Sequence, residues 1–257
     1  MGWFSRVRQP LVRDASMAIW QLFAGPLDLD EAADTRFTSL HDCFVRKLKP
    51  EARPIDGTPR QLVSPCDGIV VAMGPVRDGT LIQAKGLAYS LDDLLGDRAL
   101  AARYRDGCFV TLRLTSTMYH WFHAPYDATV DEVVYIAGDT WNVNPIAVKR
   151  IERLYCRNER AVVPLQLQGS GESVALVAVA AILVAGIQLS FVDVPLTLDY
   201  DGPRHLPCSA RLRRGEAMGH FRQGSTIVVL GSSGLAICSH VHDQARVRMG
   251  EPLLRHR

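Results

Sequence analysis

Apolar positions near the start of the chain recur at Leu11, Val12, Ala15, Ala18, Ile19, Leu22 and Phe23, which is one face of a helix. Pro10 suits the first turn of that helix, and Gly25-Pro26 is a stop signal. The linker "GPLDLDEAADTR" follows, after which Ser39 caps a short helix running to about Lys47 and ended by Pro50. From Leu62 onward the pattern becomes that of strands. They are predicted at 68–73, 81–84, 108–114, 129–137, 161–167, 174–184, 190–194 and 226–230. Turn sequences such as "RDG", "GSGE" and "YDGP" separate several of them, and short helices are predicted at 91–95 and 145–155. The reading is an α+β fold. A mostly antiparallel β core carries a few short helices and an N-terminal amphipathic helical arm. The arm and linker take residues 1–38, and a catalytic domain takes 39–257.

The apolar run "VALVAVAAILVAGI" at 174–187 raises the question of a membrane span. Its 14 residues fall short of the roughly 20 that a helix needs to cross. Richness in Val and Ile suits a strand buried on both faces, with a bend or bulge near Gly186.

The chain has 257 residues and a formal net charge of +2, too small for a nucleic-acid footprint. Hydrophobic residues make up 47% of it, so a sizeable core is expected. Six cysteines, none in a Cys-x-x-Cys pair, read as free thiols in a reducing compartment, with no secretory signal expected. Trp3, Phe4 and Trp20, with Arg6, Arg8 and Arg13, give the arm the texture of a helix lying in a membrane interface. Packing on the protein's own core fits the same pattern.

Three segments carry candidate chemistry: "SPCDGIV" with Asp67, "MYHWFHAPYD" with His120 and His123, and "FRQGSTIVV" with Ser225. An acid, an imidazole and a hydroxyl together can activate a hydroxyl nucleophile. Spacing alone leaves plainer readings open. Asp before Gly is ordinary turn chemistry, the histidines can be packed core groups, and Gly-Ser-Thr can simply lead into a strand. His240 and His242 in "SHVHD" suggest a metal, but no third ligand is specified, and no metal site is expected.

Seven segments in combination resemble the phosphatidylserine decarboxylase family of pyruvoyl-dependent enzymes. They are "FVRKLKPEARPID" (44–56), "SPCDG" (64–68), "KGLAYSLDDLLG" (85–96), "YHWFHAP" (119–125), "GDTWNVNP" (138–145), "RNER" (157–160) and "GEAMGHFRQGSTIVVL" (215–230). Two flanking positions depart from the family pattern: Gln223 stands where Leu is usual, and Cys66 where Ala is usual.

The resemblance implies that Ser225 attacks the carbonyl of Gly224, turning the peptide into an ester. Loss of the Ser225 α-proton then expels the glycine carboxylate, and hydrolysis of the dehydroalanine releases ammonia and leaves a pyruvoyl group. Chains 1–224 and 225–257 form a heterodimer; further homo-oligomerisation is left open. His123 corresponds to the family's base and Asp67 to its partner, with Thr226 or nearby amides at the oxyanion. The pyruvoyl cofactor, derived from Ser225, decarboxylates phosphatidylserine to phosphatidylethanolamine through a Schiff base, with His120 favoured over His123 to protonate the substrate carbon. The expected partner is phosphatidylserine in membranes, with no nucleic acid, and the expected location is peripheral, on the cytoplasmic face of the cell membrane. Lys85 and Arg157 are candidates for the headgroup phosphate, a surface role being the plainer reading of each. Competing readings are a pyruvoyl enzyme for a soluble amine, a Ser-His-Asp hydrolase and a non-catalytic lipid-binding relative.

Overall fold

Helices dominate the chain before residue 61 and strands after it in the computed structural model, which describes residues 4–84, 87–181, 186–222 and 225–257. The helices are α1 (Pro10–Ala24), α2 (Leu40–Phe44), α3 (Leu91–Leu95), α4 (Arg98–Ala102), α5 (Pro145–Val148) and α6 (Leu154–Arg157). The strands begin with β1 (Gln61–Val63), β2 (Gly68–Pro75), β3 (Thr80–Ala84), β4 (Leu87–Ser90), β5 (Cys108–Leu114) and β6 (Trp121–His123). They continue with β7 (Ala128–Ile136), β8 (Arg160–Leu167), β9 (Ser173–Ala180), β10 (Gly186–Leu189), β11 (Leu196–Thr197) and β12 (His205–Leu212). The last are β13 (Ala217–Phe221), β14 (Ser225–Gly231), β15 (Leu235–Ile237), β16 (Arg246–Val247) and β17 (Pro252–His256).

The central sheet has the order β12-β7-β8-β9-β14-β5-β2-β16, with every neighbour antiparallel. A smaller sheet, β11-β10-β13-β6, packs over one of its faces. The expected α+β architecture is therefore present. β9 shows how one strand feeds two cores. Val174, Leu176, Ala178 and Ala180 face the core under the smaller sheet, with Phe122, Met218 and Phe221. Ala175, Val177 and Val179 face the other core, with Leu91, Leu94, Tyr104 and Tyr155. Burial on both sides explains why the run reads as continuously apolar. No helix among the described residues is long and apolar enough to cross a membrane.

The smaller sheet comes close to itself at one glycine. A Cβ on Gly219 in β13 would lie 2.2 Å from the Gln188 carbonyl oxygen and 2.9 Å from the Phe122 ring, so only glycine fits.

α1 starts as its sequence predicts. Pro10 occupies the first turn, and the Gln9 side chain accepts from the Val12 N–H at 2.7 Å. Gly25 ends the helix at φ 95°. None of its residues is buried, and Leu11, Leu22 and Phe23 stay 78%, 79% and 84% exposed. Its other side rests on the body: Trp20 stacks on Phe44 at 6.2 Å, and the Arg13 guanidinium donates to the Phe37 carbonyl. The stretch read as a linker is partly built in. Leu27, Ala32 and Phe37 form a small core with Cys43, and Ala32 bridges to Leu48.

Several boundaries differ from expectation. The strand expected at 190–194 lies earlier, at Gly186–Leu189, and residues 182–185 are outside the described set. The helix expected over 145–155 is two, α5 and α6, because Arg153 takes a left-handed φ of 52° between them. α2 stops at Phe44 rather than near Lys47. β12 carries Pro207 and shifts register between Pro207 and Ala210. It is an edge strand with a bulge, a pattern that regular alternation does not reveal.

Candidate active site

Ser225 is the first residue of β14, paired with Leu114 of β5 on one side and Ala180 of β9 on the other. It is therefore already in the sheet rather than in a turn before it. The side chain is fully buried, and among the described residues its Oγ has no hydrogen-bond partner; the same holds for Thr226 Oγ1. A buried hydroxyl without a partner costs about 1–3 kcal/mol, so a purely structural serine is a poor account of this position. Gln223 and Gly224, the other side of the expected cut, lie outside the described residues. Ser225 lines a cavity of about 860 Å³ whose wall includes Ile19 and Trp20 of α1, Leu40, Phe44 and Leu114.

His123 ends β6, where its backbone N–H donates to the Pro65 carbonyl at 2.7 Å and so joins the turn that carries Asp67. Its Nδ1 lies 2.9 Å from the Gly215 carbonyl oxygen, which can only accept, so Nδ1 carries the proton. Nε2 then accepts from the Tyr119 hydroxyl at 3.0 Å. Burial pushes the His123 pKa below its ordinary value, which leaves a neutral imidazole with its basic nitrogen on the Tyr119 side. Burial also raises the Tyr119 phenol, which stays protonated.

Asp67 does not orient His123 by a direct hydrogen bond. Its carboxylate is taken up by Arg53, with Nε to Oδ1 at 2.8 Å and Nη2 to Oδ2 at 2.6 Å, and by the Met249 N–H at 2.9 Å. Arg53 also pairs with Glu31 at 2.8 Å, and Glu31 with Arg248 at 3.3 Å. Asp67 acts on His123 through space, its charge partly offsetting the effect of burial.

His120 is fully buried, and among the described residues neither ring nitrogen has a hydrogen-bond partner. Its ring lies against Phe44 with centroids 3.8 Å apart, and Phe44 in turn lines the Ser225 cavity. Burial first, then the charge of Arg46, pushes its pKa down to about 3. Arg46 is itself buried, donating to the carbonyls of Leu27, Thr117 and Cys43. The His120 carbonyl accepts from the Phe221 N–H at 3.0 Å, which ties this histidine to the strand that leads into Ser225.

The backbone thus gathers the Asp67 turn, β6 and the β13–β14 junction, but Ser225 is the only one of the four candidate side chains that lines the cavity. Sequence reasoning missed Arg53, Tyr119 and the Gly215 carbonyl, although all three lie in segments it singled out. The usable signal was a buried aspartate in need of a cation. His240 and His242 are exposed and bond to the carbonyls of Pro252 and Asp243. Among the described residues no cluster of His, Cys, Asp or Glu could hold a metal ion.

Comparison with known proteins bears on the whole chain. The model of the family described as phosphatidylserine decarboxylase matches residues 40–255. A phosphatidylserine decarboxylase proenzyme of Shewanella woodyi is 35% identical over 245 residues, covering 91% of this chain and 85% of its own. One of Pasteurella multocida is 34% identical over 266 aligned positions, covering 98% of this chain and 88% of its own. One of Shewanella amazonensis is 36% identical over 225 residues, covering 84% and 78%.

Proposed function

The chain belongs to the phosphatidylserine decarboxylase family, and from that premise we propose that it cuts itself between Gly224 and Ser225 and then converts phosphatidylserine to phosphatidylethanolamine at a membrane surface. The observation that carries this reading is the buried, unpartnered Ser225 Oγ on the wall of an apolar cavity that the exposed N-terminal helix flanks.

A serine hydroxyl attacks a carbonyl only when a base takes its proton. His123 is that base: it is neutral, its tautomer is fixed by Gly215, and its lone pair points to Tyr119. The Tyr119 hydroxyl holds that nitrogen in place, and Nε2 takes the Ser225 proton once it comes within reach of Ser225 Oγ. The charge of Asp67, anchored by Arg53, stabilises the imidazolium that results. The Ser225 hydroxyl then adds to the Gly224 carbonyl, and elimination and hydrolysis leave the pyruvoyl group and free ammonia. The two pieces stay together because β14 lies between β5 and β9 of the central sheet.

The Ser225 position fits a pyruvoyl group, being small, buried and open to the cavity. Such a group supplies a ketone that takes the substrate amine and an adjoining carbonyl that accepts the electrons left when carbon dioxide departs. The chain's own residues do the rest. Leu40, Phe44 and Leu114 keep the cavity wall apolar. His120, neutral behind Phe44, supplies the proton to the substrate carbon as an imidazole N–H, a role that neutral histidines can fill and that requires the Phe44 ring to turn aside. α1 lies in the interface of the cytoplasmic leaflet through Leu11, Leu22 and Phe23.

Denaturing mass spectrometry of the purified protein, with decarboxylation of vesicle-borne phosphatidylserine measured on the same sample, tests this reading. Fragments 1–224 and 225–257, the second with a blocked N-terminus, are expected. A fully active chain that is still continuous would overturn it.

A further inference from the structure

The cavity that holds Ser225 carries basic groups and no acidic ones. Arg113, Arg222 and His41 line it, and no aspartate or glutamate does. His41 is pushed toward its neutral form by burial and by the charges of Arg6 and Arg222, which leaves the two guanidiniums as the cations of the wall. Both are half-buried. Among the described residues neither forms an ion pair or a side-chain hydrogen bond, and Arg113 Nε is buried without a partner. Other half-buried or buried arginines here, Arg46, Arg53 and Arg160, are bonded to carbonyls or carboxylates. Withdrawing a guanidinium from water without a partner is costly, and the cost is recovered when an anion arrives.

The two arginines reach the cavity wall from different segments. Arg113, the register partner of Thr226 on β5, starts on the sheet face opposite Ser225 and also lines a smaller cavity with Gln83 and Tyr155, meeting the Ser225 cavity at the strand's end. Arg222 follows β13 directly, its backbone N–H held by the Gly186 carbonyl at 3.0 Å. We propose that Arg113 and Arg222 bind the headgroup phosphodiester of the lipid substrate, an inference that rests on the decarboxylase reading above. Planar guanidiniums suit phosphate oxygens, which accept two hydrogen bonds from one side chain. The substrate's carboxylate is the poorer occupant. It leaves as neutral carbon dioxide, and a guanidinium on it would stabilise the ground state more than the transition state. The phosphodiester stands between the reacting serine of the headgroup and the acyl chains, and the same cavity wall carries Ser225, the two arginines and the apolar Ile19, Trp20 and Leu40. The two cations suggested by sequence do not replace them. Arg157 pairs with Asp139 at 3.3 Å and covers the Trp141 ring, away from the cavity wall, and Lys85 lies outside the described residues.

The test uses the full-length, self-cleaved protein and monomeric dihexanoyl phosphatidylserine, so that vesicle binding by α1 does not enter. Cleavage of each variant is first checked by mass spectrometry. Arg113→Gln and Arg222→Gln are each expected to raise KM about 10-fold or more while kcat changes little, as loss of a charged hydrogen bond implies. The Ki of dihexanoyl phosphatidylethanolamine, which keeps the phosphate and lacks the carboxylate, should rise by the same factor. Arg→Lys at either position should recover part of the loss. Unchanged KM in cleaved variants overturns the proposal. A raised KM with unchanged product Ki also overturns it, by assigning the arginines to the carboxylate. If Arg113→Gln remains uncut, the Arg222 variants and Arg113→Lys decide. A cleaved wild-type protein without decarboxylase activity would instead remove the underlying functional reading.

Discussion

Arg53 holds both carboxylate oxygens of Asp67, at 2.8 and 2.6 Å, with both side chains almost wholly buried. The pair joins the segment around residue 53 to the turn before β2, and Glu31 and Arg248 extend it to the surface. Asp67 is thereby a fixed negative charge near His123 rather than its hydrogen-bonded partner.

Breaking that pair from the arginine side should be severe. Arg53→Gln leaves the Asp67 carboxylate buried without its cation, and such losses cost about 3–5 kcal/mol. A fall in Tm of roughly 10 °C is expected, read by thermal unfolding. Arg53→Gln combined with Asp67→Asn should be less destabilised than Arg53→Gln alone, because the uncompensated charge is gone.

The hydrogen bond between Tyr119 and His123 makes a graded prediction for self-cleavage. With His123 as the proposed base, His123→Ala should slow cutting by about 10²–10⁴-fold. Tyr119→Phe removes only the hydroxyl that holds the His123 ring, and a slowing of about 5- to 10-fold is expected from one lost hydrogen bond. Timed gel electrophoresis of freshly translated chain measures both. Faster cutting in Tyr119→Phe would show that the hydroxyl blocks Nε2 rather than serving it.

Stability should fall on acidification. His120 and His220 are lowered from 6.5 to about 3 and about 4, so the folded chain stays neutral there while the unfolded chain takes up protons below pH 6.5. Their contribution is full above 6.5 and lost as pH drops toward those values. Glu159 opposes this. Burial raises it from 4.5 to about 7, so its contribution is full below 4.5 and lost as pH rises to 7. Urea unfolding of the uncut Ser225→Ala chain between pH 6.5 and 4.5 should show the histidine trend winning. His120→Gln should reduce the slope by about 1.4 kcal/mol per pH unit, and Glu159→Gln should steepen it.

The arm should matter for the membrane and hardly at all for folding. Leu22→Asp with Phe23→Asp alters residues that are 79% and 84% exposed. Tm should stay within about 2 °C. Co-sedimentation with anionic vesicles should fall by an order of magnitude or more, since each apolar side chain contributes about 1.5–3 kcal/mol when buried in the interface. Unchanged sedimentation would remove the membrane role of α1.

Local order was legible in the chain itself. The bounds 108–114 and 91–95 match β5 and α3, and Pro10 and Gly25 delimit α1 as expected. Two-sided burial of β9 could also be read directly. These features depend on periodicity, caps and turns, which involve residues within a few positions of each other. The tertiary structure alone decided which groups meet: Arg53 with Asp67, Tyr119 and Gly215 with His123, Phe44 with His120, and Arg113, Arg222 and Ser225 on one cavity wall. Those contacts follow from strand order and register across a sheet in which β14 lies between β5 and β9, and a one-residue slip would turn each side chain to the other face.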